Sequence, residues 1–194
     1  MFPEKITKEE LIQLPLKRYE GEIEVITQPV RADECAREIL LNSEIVGFDT
    51  ETRPAFRKGQ NFSVSLLQIA TEQKVHLFRL QQTGLPPNLL QLLSDANVIK
   101  VGVALRDDIK ELQQVNNFQP EGFLDLGTRM KELNVQQTGL RNLTAIFLGF
   151  RISKSQQTSN WEKAQLTEAQ VRYAATDAWV CLKMHEFLQE KNVL

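Results

Sequence analysis

The stretch that most constrains this chain is an apolar run, Ile45 to Phe48, that leads directly into Asp49-Thr50-Glu51. In an extended strand successive side chains alternate between two faces, so Asp49 and Glu51 share one face while Thr50 points to the other. Two like charges on one face of a buried strand are costly unless a cation lies between them. The stretch therefore predicts a buried strand that ends in a metal site.

Two segments far along the chain carry side chains that fit the same site. Residues 101–105 predict a strand that runs into a helix with Asp108 in its first turn, and Tyr173 and Asp177 share one face of a long predicted helix. Carboxylate oxygens are the ligands preferred by hard cations such as Mg²⁺ or Mn²⁺, whereas zinc favours His or Cys. Four such carboxylates predict a pair of divalent metal ions, an arrangement suited to phosphodiester hydrolysis.

Composition is that of an ordinary globular protein. The 194 residues are 42% hydrophobic and 25% charged, and the formal net charge of −2 gives no nucleic-acid signature. Cys35 and Cys181 lack the spacing of a metal site or a disulfide framework, which predicts packed thiols in a reducing compartment. The sequence shows no signal peptide and no apolar run of roughly 18 residues, so the expected location is the cytoplasm.

The order of predicted elements favours a single α/β domain over residues 21–194, preceded by a charged N-terminal arm over residues 1–20. The hydrophobic pattern predicts strands at 22–27, 45–51, 63–71, 74–80, 98–104 and 123–126. It predicts helices at 29–42, 86–93, 106–116, 126–133, 140–148 and from 167 onward. Residues 151–161 predict a mobile polar loop. This order implies a mixed sheet with helices on both faces.

Three motifs in this order resemble a known family, the DEDDy group of 3′-5′ exonucleases in the ribonuclease H-like superfamily. They stand here as Phe48-Asp49-Thr50-Glu51, as the segment from Gly102 to Asp108, and as Tyr173-Ala-Ala-Thr-Asp177. The approach to the third motif, from Trp161 to Gln170, is most similar to Werner-type and ribonuclease D-type exonuclease domains. The likeness covers roughly residues 22–190 and implies a ribonuclease H-like fold.

The resemblance also implies a role for each residue of the site. Asp49 would bridge two divalent metal ions, Mg²⁺ or Mn²⁺, while Glu51 and Asp177 would complete the site of the first ion. Asp108 would serve the second ion through water, and Tyr173 would orient the attacking water or help to deprotonate it. The implied activity removes nucleoside 5′-monophosphates from the single-stranded 3′ end of DNA or RNA.

Several assignments stay open in the sequence. Asp107 adjoins Asp108, and the match of the following residues to the family pattern favours Asp108 as the second-motif ligand. Asp125 is best explained as a helix cap or turn residue, and His76 and His185 as structural side chains.

Contacts with substrate are expected from residues near the predicted metal site. Phosphate contact could come from the basic loop that follows the strand of Asp49 and Glu51, or from Lys154 before the last helix. Each is equally well explained by a solvated turn. The candidates for substrate binding are Thr50, Arg53, Lys58 and Lys154.

Two other functions compete with the exonuclease. A non-catalytic nucleic-acid-binding or adaptor module on the same fold would be favoured by loss of a carboxylate, and none is missing. A phosphoesterase that acts on short oligonucleotides would be favoured by a deep closed pocket. The choice between DNA and RNA is left undecided, because phosphate and metal chemistry is common to both.

Overall fold

The computed structural model describes residues 2–57 and 59–194. Its strands are β1 (Glu22–Ile26), β2 (Ile45–Thr52), β3 (Val64–Ala70), β4 (Lys74–Arg79), β5 (Ile99–Gly102) and β6 (Phe123–Asp125). Its helices are α1 (Lys8–Gln13), α2 (Pro29–Asn42), α3 (Leu80–Thr83), α4 (Pro87–Ser94), α5 (Leu105–Val115), α6 (Leu126–Glu132), α7 (Leu140–Leu148) and α8 (Glu168–Glu190). No helix in the described ranges is both long enough and apolar enough to cross a bilayer.

The six strands form one mixed sheet in the order β1-β4-β3-β2-β5-β6. Strand β3 pairs antiparallel with both β2 and β4, while β1 pairs parallel with β4 and β5 pairs parallel with β2 and β6. The first part of the chain thus gives the antiparallel pairs, and the alternation of strands and helices gives the parallel ones. The predicted mixed sheet in a single α/β domain is confirmed.

Helices cover both faces of the sheet, as the hydrophobic pattern predicts. On one face, apolar side chains of α2, α4 and α5 pack around Phe48 and Leu67. On the other face α8 crosses the sheet, with Ala174 and Ala178 packed against Leu66. Because β2 is covered on both sides, charged side chains near its end lie in a largely desolvated setting.

Gly47 allows α8 to cross β2 at close range. A Cβ at this position would overlap the carbonyl oxygen of Ala178 and come within 3.0 Å of the backbone nitrogen of Leu182. Only a residue without a side chain fits here. The contact places Asp177, one residue before Ala178, beside Asp49, two residues beyond Gly47.

The strand ends differ from the predicted ones by up to two residues, and two of these differences, at β5 and β4, lie where a strand runs into a helix. Strand β5 ends at Gly102, because Ala104 has a positive φ of 62° and its backbone turns into α5. Strand β4 ends at Arg79, because Leu80 already belongs to the short helix α3. In both cases apolar residues continue past the strand end into the start of a helix, which a period-two pattern does not reveal.

The segment predicted as a mobile loop is fixed at both ends. Leu16 and Arg151 form a parallel β-bridge, and the Lys17 amide donates to the Arg151 carbonyl at 2.9 Å. Trp161 at the other end is fully buried. Residues 2–20 thus contact the segment that precedes α8, whereas the boundary of the arm at residue 20 stays a prediction.

Glu24 on β1 links three elements through charge. Its carboxylate accepts hydrogen bonds from Arg31 on α2 at 2.6 Å and from Lys74 on β4 at 2.8 Å. Cys35 Sγ lies 3.0 Å from His76 Nδ1, which lies 3.5 Å from Glu24. Burial raises the pKa of the Cys35 thiol to about 12 and lowers that of His76 to about 4, so a neutral thiol faces a neutral imidazole.

The same three side chains offer Glu, Cys and His ligand atoms within 4.8 Å of one another. A metal ion there would have to displace the protons and the two cations that already neutralise Glu24. The group is therefore structural. Both cysteines are buried free thiols, as predicted.

Substitution of Glu24 should destabilise the fold. We expect Glu24→Gln to lower the free energy of unfolding by about 2 kcal/mol, because Arg31 and Lys74 lose their partner in a partly buried setting. Pairing with Arg31 holds the pKa of Glu24 at about 2. Its contribution is therefore present above pH ~4.5 and lost as the pH falls towards 2.

Urea unfolding at pH 7 measures this effect, with Glu20→Gln as the matched control. Glu20 pairs with Arg18, and both side chains are more than half exposed. The control should leave the free energy of unfolding nearly unchanged, because an exposed ion pair contributes little. An equal decrease in the free energy of unfolding in Glu24→Gln and Glu20→Gln would contradict the prediction.

Candidate active site

Three carboxylates meet where β2 passes under α8. Asp49, Glu51 and Asp177 each offer an oxygen atom within 4.8 Å of the other two. Glu51 and Asp177 are buried and Asp49 is half-buried. The alternation along β2 directs Asp49 and Glu51 towards α8, and the crossing at Gly47 supplies Asp177.

The three carboxylates strongly disfavour one another's charge. Burial, together with the charges of Asp177 and Asp108, raises the pKa of Asp49 well above its usual range. Burial raises the pKa of Glu51 to about 10, with Asp49 contributing. Burial also raises the pKa of Asp177 to about 7, against the opposing effect of the Tyr173 hydroxyl. Within the described ranges, no Lys or Arg forms an ion pair with these groups.

The donor set fits a hard divalent cation. All three ligand groups are carboxylates, and Asp177 Oδ1 is buried without a hydrogen-bond partner in the described part of the chain. An orphaned carboxylate oxygen in a protein interior is costly, and a bound cation would satisfy it. Oxygen-only ligation suits Mg²⁺ or Mn²⁺.

Asp108 approaches the group from the other face of the sheet. It lies in the first turn of α5 and accepts a hydrogen bond from the hydroxyl of Thr50, the β2 residue that points away from α8. Asp108 is not among the three carboxylates within 4.8 Å of one another. Its neighbour Asp107 has a side chain 85% exposed and lies 3.7 Å from Lys110. The structure thus directs Asp108, and not Asp107, towards the site.

Asp125 holds two helices by their N-termini. Its Oδ1 accepts from the amide of Thr128 at 3.1 Å and caps α6, and its Oδ2 accepts from the amide of Leu105 at 2.9 Å. The cap residue of α5 is Ala104, whose methyl group cannot accept a hydrogen bond. Asp125 therefore replaces the missing cap and fixes the turn that carries Asp108. The predicted capping role is confirmed.

Tyr173 lies one helical turn before Asp177 and borders the same cavity. Its ring packs against Trp161, with centroids 6.0 Å apart. Burial raises the pKa of the Tyr173 hydroxyl above its ordinary value, and the charges of Asp177 and Glu51 add to this effect. The hydroxyl therefore stays protonated at neutral pH.

A cavity of about 320 Å³ adjoins the carboxylates. Its lining combines the acidic group with the start of α7 and part of the 151–161 segment: Asp49, Thr50, Glu51, Gly139, Leu140, Arg141, Asn142, Ile152, Ser153, Lys154, Gln157, Tyr173 and Asp177. A second cavity, of about 590 Å³, shares Ser153, Tyr173 and Asp177 with the first. Because they share three lining residues, the two cavities lie side by side next to the carboxylates, and together they are called the cleft below.

The substrate candidates from the sequence occupy different places. Thr50 and Lys154 line the cavity next to the carboxylates. Arg53 lies outside it, paired with Glu162 at 2.9 Å and stacked 4.5 Å over the Phe62 ring. Lys58 lies outside the described residues. Substrate contact by these four residues stays a prediction.

Two polar residues of the site escaped the sequence analysis. Gln68 on β3 is directly opposite Asp49 in the sheet register, and neither atom of its buried amide has a partner within the described ranges. Its signal was a single amide in a strand that is otherwise apolar, apart from one serine. Arg141 faces the cavity from the start of α7. The sequence predicts the helix at 140–148, but no local pattern shows that its first turn faces this cavity.

Comparison with known proteins identifies the family. Residues 23–192 match the family model described as 3′-5′ exonuclease. The chain belongs to the 3′-5′ exonuclease family. The mouse bifunctional 3′-5′ exonuclease/ATP-dependent helicase WRN is 32% identical over 77% of this chain and 11% of that protein. The chain spans 24%, 41% and 11% of the lengths of three curated relatives that it matches.

Solved structures show the same fold. The EXO domain of Nibbler from Aedes aegypti superposes with a TM-score of 0.80 at 24% identity, covering 90% of this chain and 92% of that one. Ribonuclease D from Trypanosoma brucei, solved in complex with RNA U12, gives a TM-score of 0.74 at 20% identity and covers 93% of this chain and 64% of that one. The resemblance to Werner-type and ribonuclease D-type domains is confirmed.

A bound divalent cation should stabilise the protein, and Asp49 should decide by how much. Without metal, we expect Asp49→Asn to raise the Tm by a few degrees, because it removes one of three adjacent carboxylates. With Mn²⁺, the wild type should gain at least about 5 °C and Asp49→Asn much less. Thermal unfolding in EDTA and in Mn²⁺ measures both effects.

The gain from Mn²⁺ should also depend on pH. The raised pKa values of Glu51 and Asp177 mean that the folded protein holds protons that the unfolded chain releases above pH ~4–4.5. Proton binding therefore stabilises the metal-free fold at low pH, and this contribution is lost as the pH rises towards the pKa values of Glu51 and Asp177. The gain in Tm from Mn²⁺ should accordingly be larger at pH 8 than at pH 5. Asp107→Asn serves as the control, and a Mn²⁺ response in it unlike the wild type would count against this site.

Proposed function

We propose that this chain is a metal-dependent 3′-5′ exonuclease that hydrolyses phosphodiester bonds at the 3′ end of DNA or RNA and releases nucleoside 5′-monophosphates. The observation that carries the proposal is the union of Asp49, Glu51 and Asp177 in one buried group. A pattern of motifs spread over 130 residues would not by itself require such a group. Membership of the 3′-5′ exonuclease family supports the same reaction.

The four carboxylates would share two ions. Asp49 would bridge both, Glu51 and Asp177 would complete the first site, and Asp108 would serve the second through water. Divalent cations held by these residues, Mg²⁺ or Mn²⁺, would supply the Lewis acidity needed for phosphodiester hydrolysis. The hydrogen bond from Thr50 would hold the Asp108 carboxylate in the orientation that this sharing requires.

Tyr173 would position the attacking water and would not take its proton. Its raised pKa keeps the hydroxyl protonated, so it can donate a hydrogen bond but is a poor general base at neutral pH. Packing against Trp161 fixes the ring beside Asp177. Orientation of a reacting water by a fixed group is a sufficient role for this side chain.

The shape of the cleft favours a strand of nucleic acid as the substrate. Both cavities are lined by Ser153, Tyr173 and Asp177, so a strand bound in the two of them would pass beside the carboxylates. A deep closed pocket would have suited a short oligonucleotide, and loss of a carboxylate would have suited an adaptor. We find neither among the described residues.

Digestion of end-labelled oligonucleotides tests the proposal. DNA and RNA strands labelled at the 3′ or the 5′ end are incubated with Mg²⁺, Mn²⁺ or EDTA. We expect stepwise shortening from the 3′ end that requires metal. Asp49→Ala should slow it by at least about 10²–10³-fold, the typical cost of losing one transition-state contact.

Asp107→Ala is the matched control and should cleave like the wild type, because its side chain faces solvent beside the site. If the wild type cleaves nothing with either metal yet binds the same strands, the adaptor function replaces the exonuclease. Cleavage that is unaffected by Asp49→Ala would also reject the proposed site.

The role of Tyr173 has its own test. Tyr173→Phe should lower kcat by about 10–100-fold with little change in KM, because the substitution removes an orienting hydroxyl and leaves the ring packed. The pH dependence of kcat should keep its wild-type form. Loss of an ionisation from that profile in the variant would show that the tyrosine acts as the base.

A further inference from the structure

Arg141 is a cation in the active-site cavity with no partner in the described part of the chain. It lies in the first turn of α7 and lines the same cavity as Asp49, Glu51 and Asp177. Its Nε atom is enclosed and makes no hydrogen bond, and the side chain forms no ion pair with described residues. A guanidinium that shares a cavity with three carboxylates, yet pairs with none, is available to an anion from outside the protein.

The acidic and the basic side chains of the cavity come from different elements of the fold. The carboxylates come from β2 and α8, and the cations come from α7 and from Lys154 in the segment that follows it. A scissile phosphate would lie over the carboxylates, where divalent cations neutralise it. The next phosphate of the strand carries a further negative charge into the same cavity and needs a cation of its own.

Arg141 suits that second phosphate better than Lys154 does. A guanidinium presents two parallel N–H donors that match two phosphate oxygens, whereas an ammonium acts as a point charge. Arg141 is half-buried on a helix, whereas Lys154 is exposed on an irregular segment. The position of Arg141 is therefore the more firmly fixed of the two.

We propose that Arg141 binds the internucleotide phosphate immediately 5′ of the scissile one, and so favours substrates of three or more nucleosides. The inference rests on the exonuclease activity proposed above and deepens it. Arg141 acts as a specificity-determining residue: it distinguishes a strand that continues past the penultimate nucleoside from one that ends there. Because the contact is to phosphate, it does not depend on the base sequence.

Two short substrates isolate the contact. A dinucleoside monophosphate has the scissile phosphate alone, whereas a trinucleoside diphosphate adds the phosphate next to it. We expect Arg141→Ala to lower kcat/KM for the trinucleoside diphosphate by about tenfold, the usual effect of losing a charged hydrogen bond, and to leave the dinucleoside monophosphate unchanged. Arg141→Lys should recover part of the loss, and Lys131→Ala, an exposed residue of α6, should match the wild type.

A neutral methylphosphonate at the second linkage gives a matched chemical variant. In the wild type it should lower kcat/KM by about as much as Arg141→Ala does. In Arg141→Ala it should not lower kcat/KM any further. Equal losses on the two short substrates would place Arg141 at the scissile phosphate and overturn the proposal. Additive losses from Arg141→Ala and the methylphosphonate would overturn it as well.

Binding in EDTA tests the contact without cleavage. For a fluorescent single strand, the slope of log K against log salt should decrease in magnitude by about 0.7 in Arg141→Ala and stay unchanged in Lys131→Ala. A protein that shows this change but cleaves nothing would refute the exonuclease and support the phosphate contact. A protein that cleaves but keeps its slope in Arg141→Ala would refute the contact alone. The circular dichroism and Tm of Arg141→Ala verify its fold.

Discussion

The close crossing of α8 over β2 at Gly47 is the contact on which the rest of the site depends. A helix and a sheet normally pack with side chains between them. Here the helix backbone lies so close to Gly47 that a Cβ on that residue would overlap the carbonyl oxygen of Ala178. This approach brings a carboxylate oxygen of Asp177 to within 4.8 Å of those of Asp49 and Glu51. A larger residue at position 47 would lift the helix and separate the three oxygens.

Such a group opposes folding, so the surrounding structure has to hold it in place. Burial raises the pKa of Asp49 and of Glu51, and the like charges of the neighbouring carboxylates raise each pKa further. The framework resists them through contacts that involve no charge of the group itself, such as the packing of α8 and the double cap by Asp125. A rigid scaffold with an unfavourable centre is the arrangement expected where binding of a cation is the function.

The sequence allowed most of the fold and the acidic group to be predicted, because both depend on periodicity. Alternation placed Asp49 and Glu51 on one face, and the four-residue spacing placed Tyr173 and Asp177 on another. What periodicity cannot show is which elements approach each other. That is why the helix at 140–148 was predicted but the approach of Arg141 to the cavity was missed. For the same reason Arg53, which follows β2 in sequence, was expected near the site, whereas it pairs with Glu162.

The same limit explains why net charge was uninformative about nucleic acid. A formal charge of −2 averages over the whole chain, whereas one cavity is lined by acidic and basic side chains together. Under the proposed function, carboxylates on β2 and α8 would hold divalent cations, and Arg141 and Lys154 would meet the phosphates of the strand in the same cavity. A polyanion can therefore bind to an acidic protein, because the local order of charges along its path matters more than their sum.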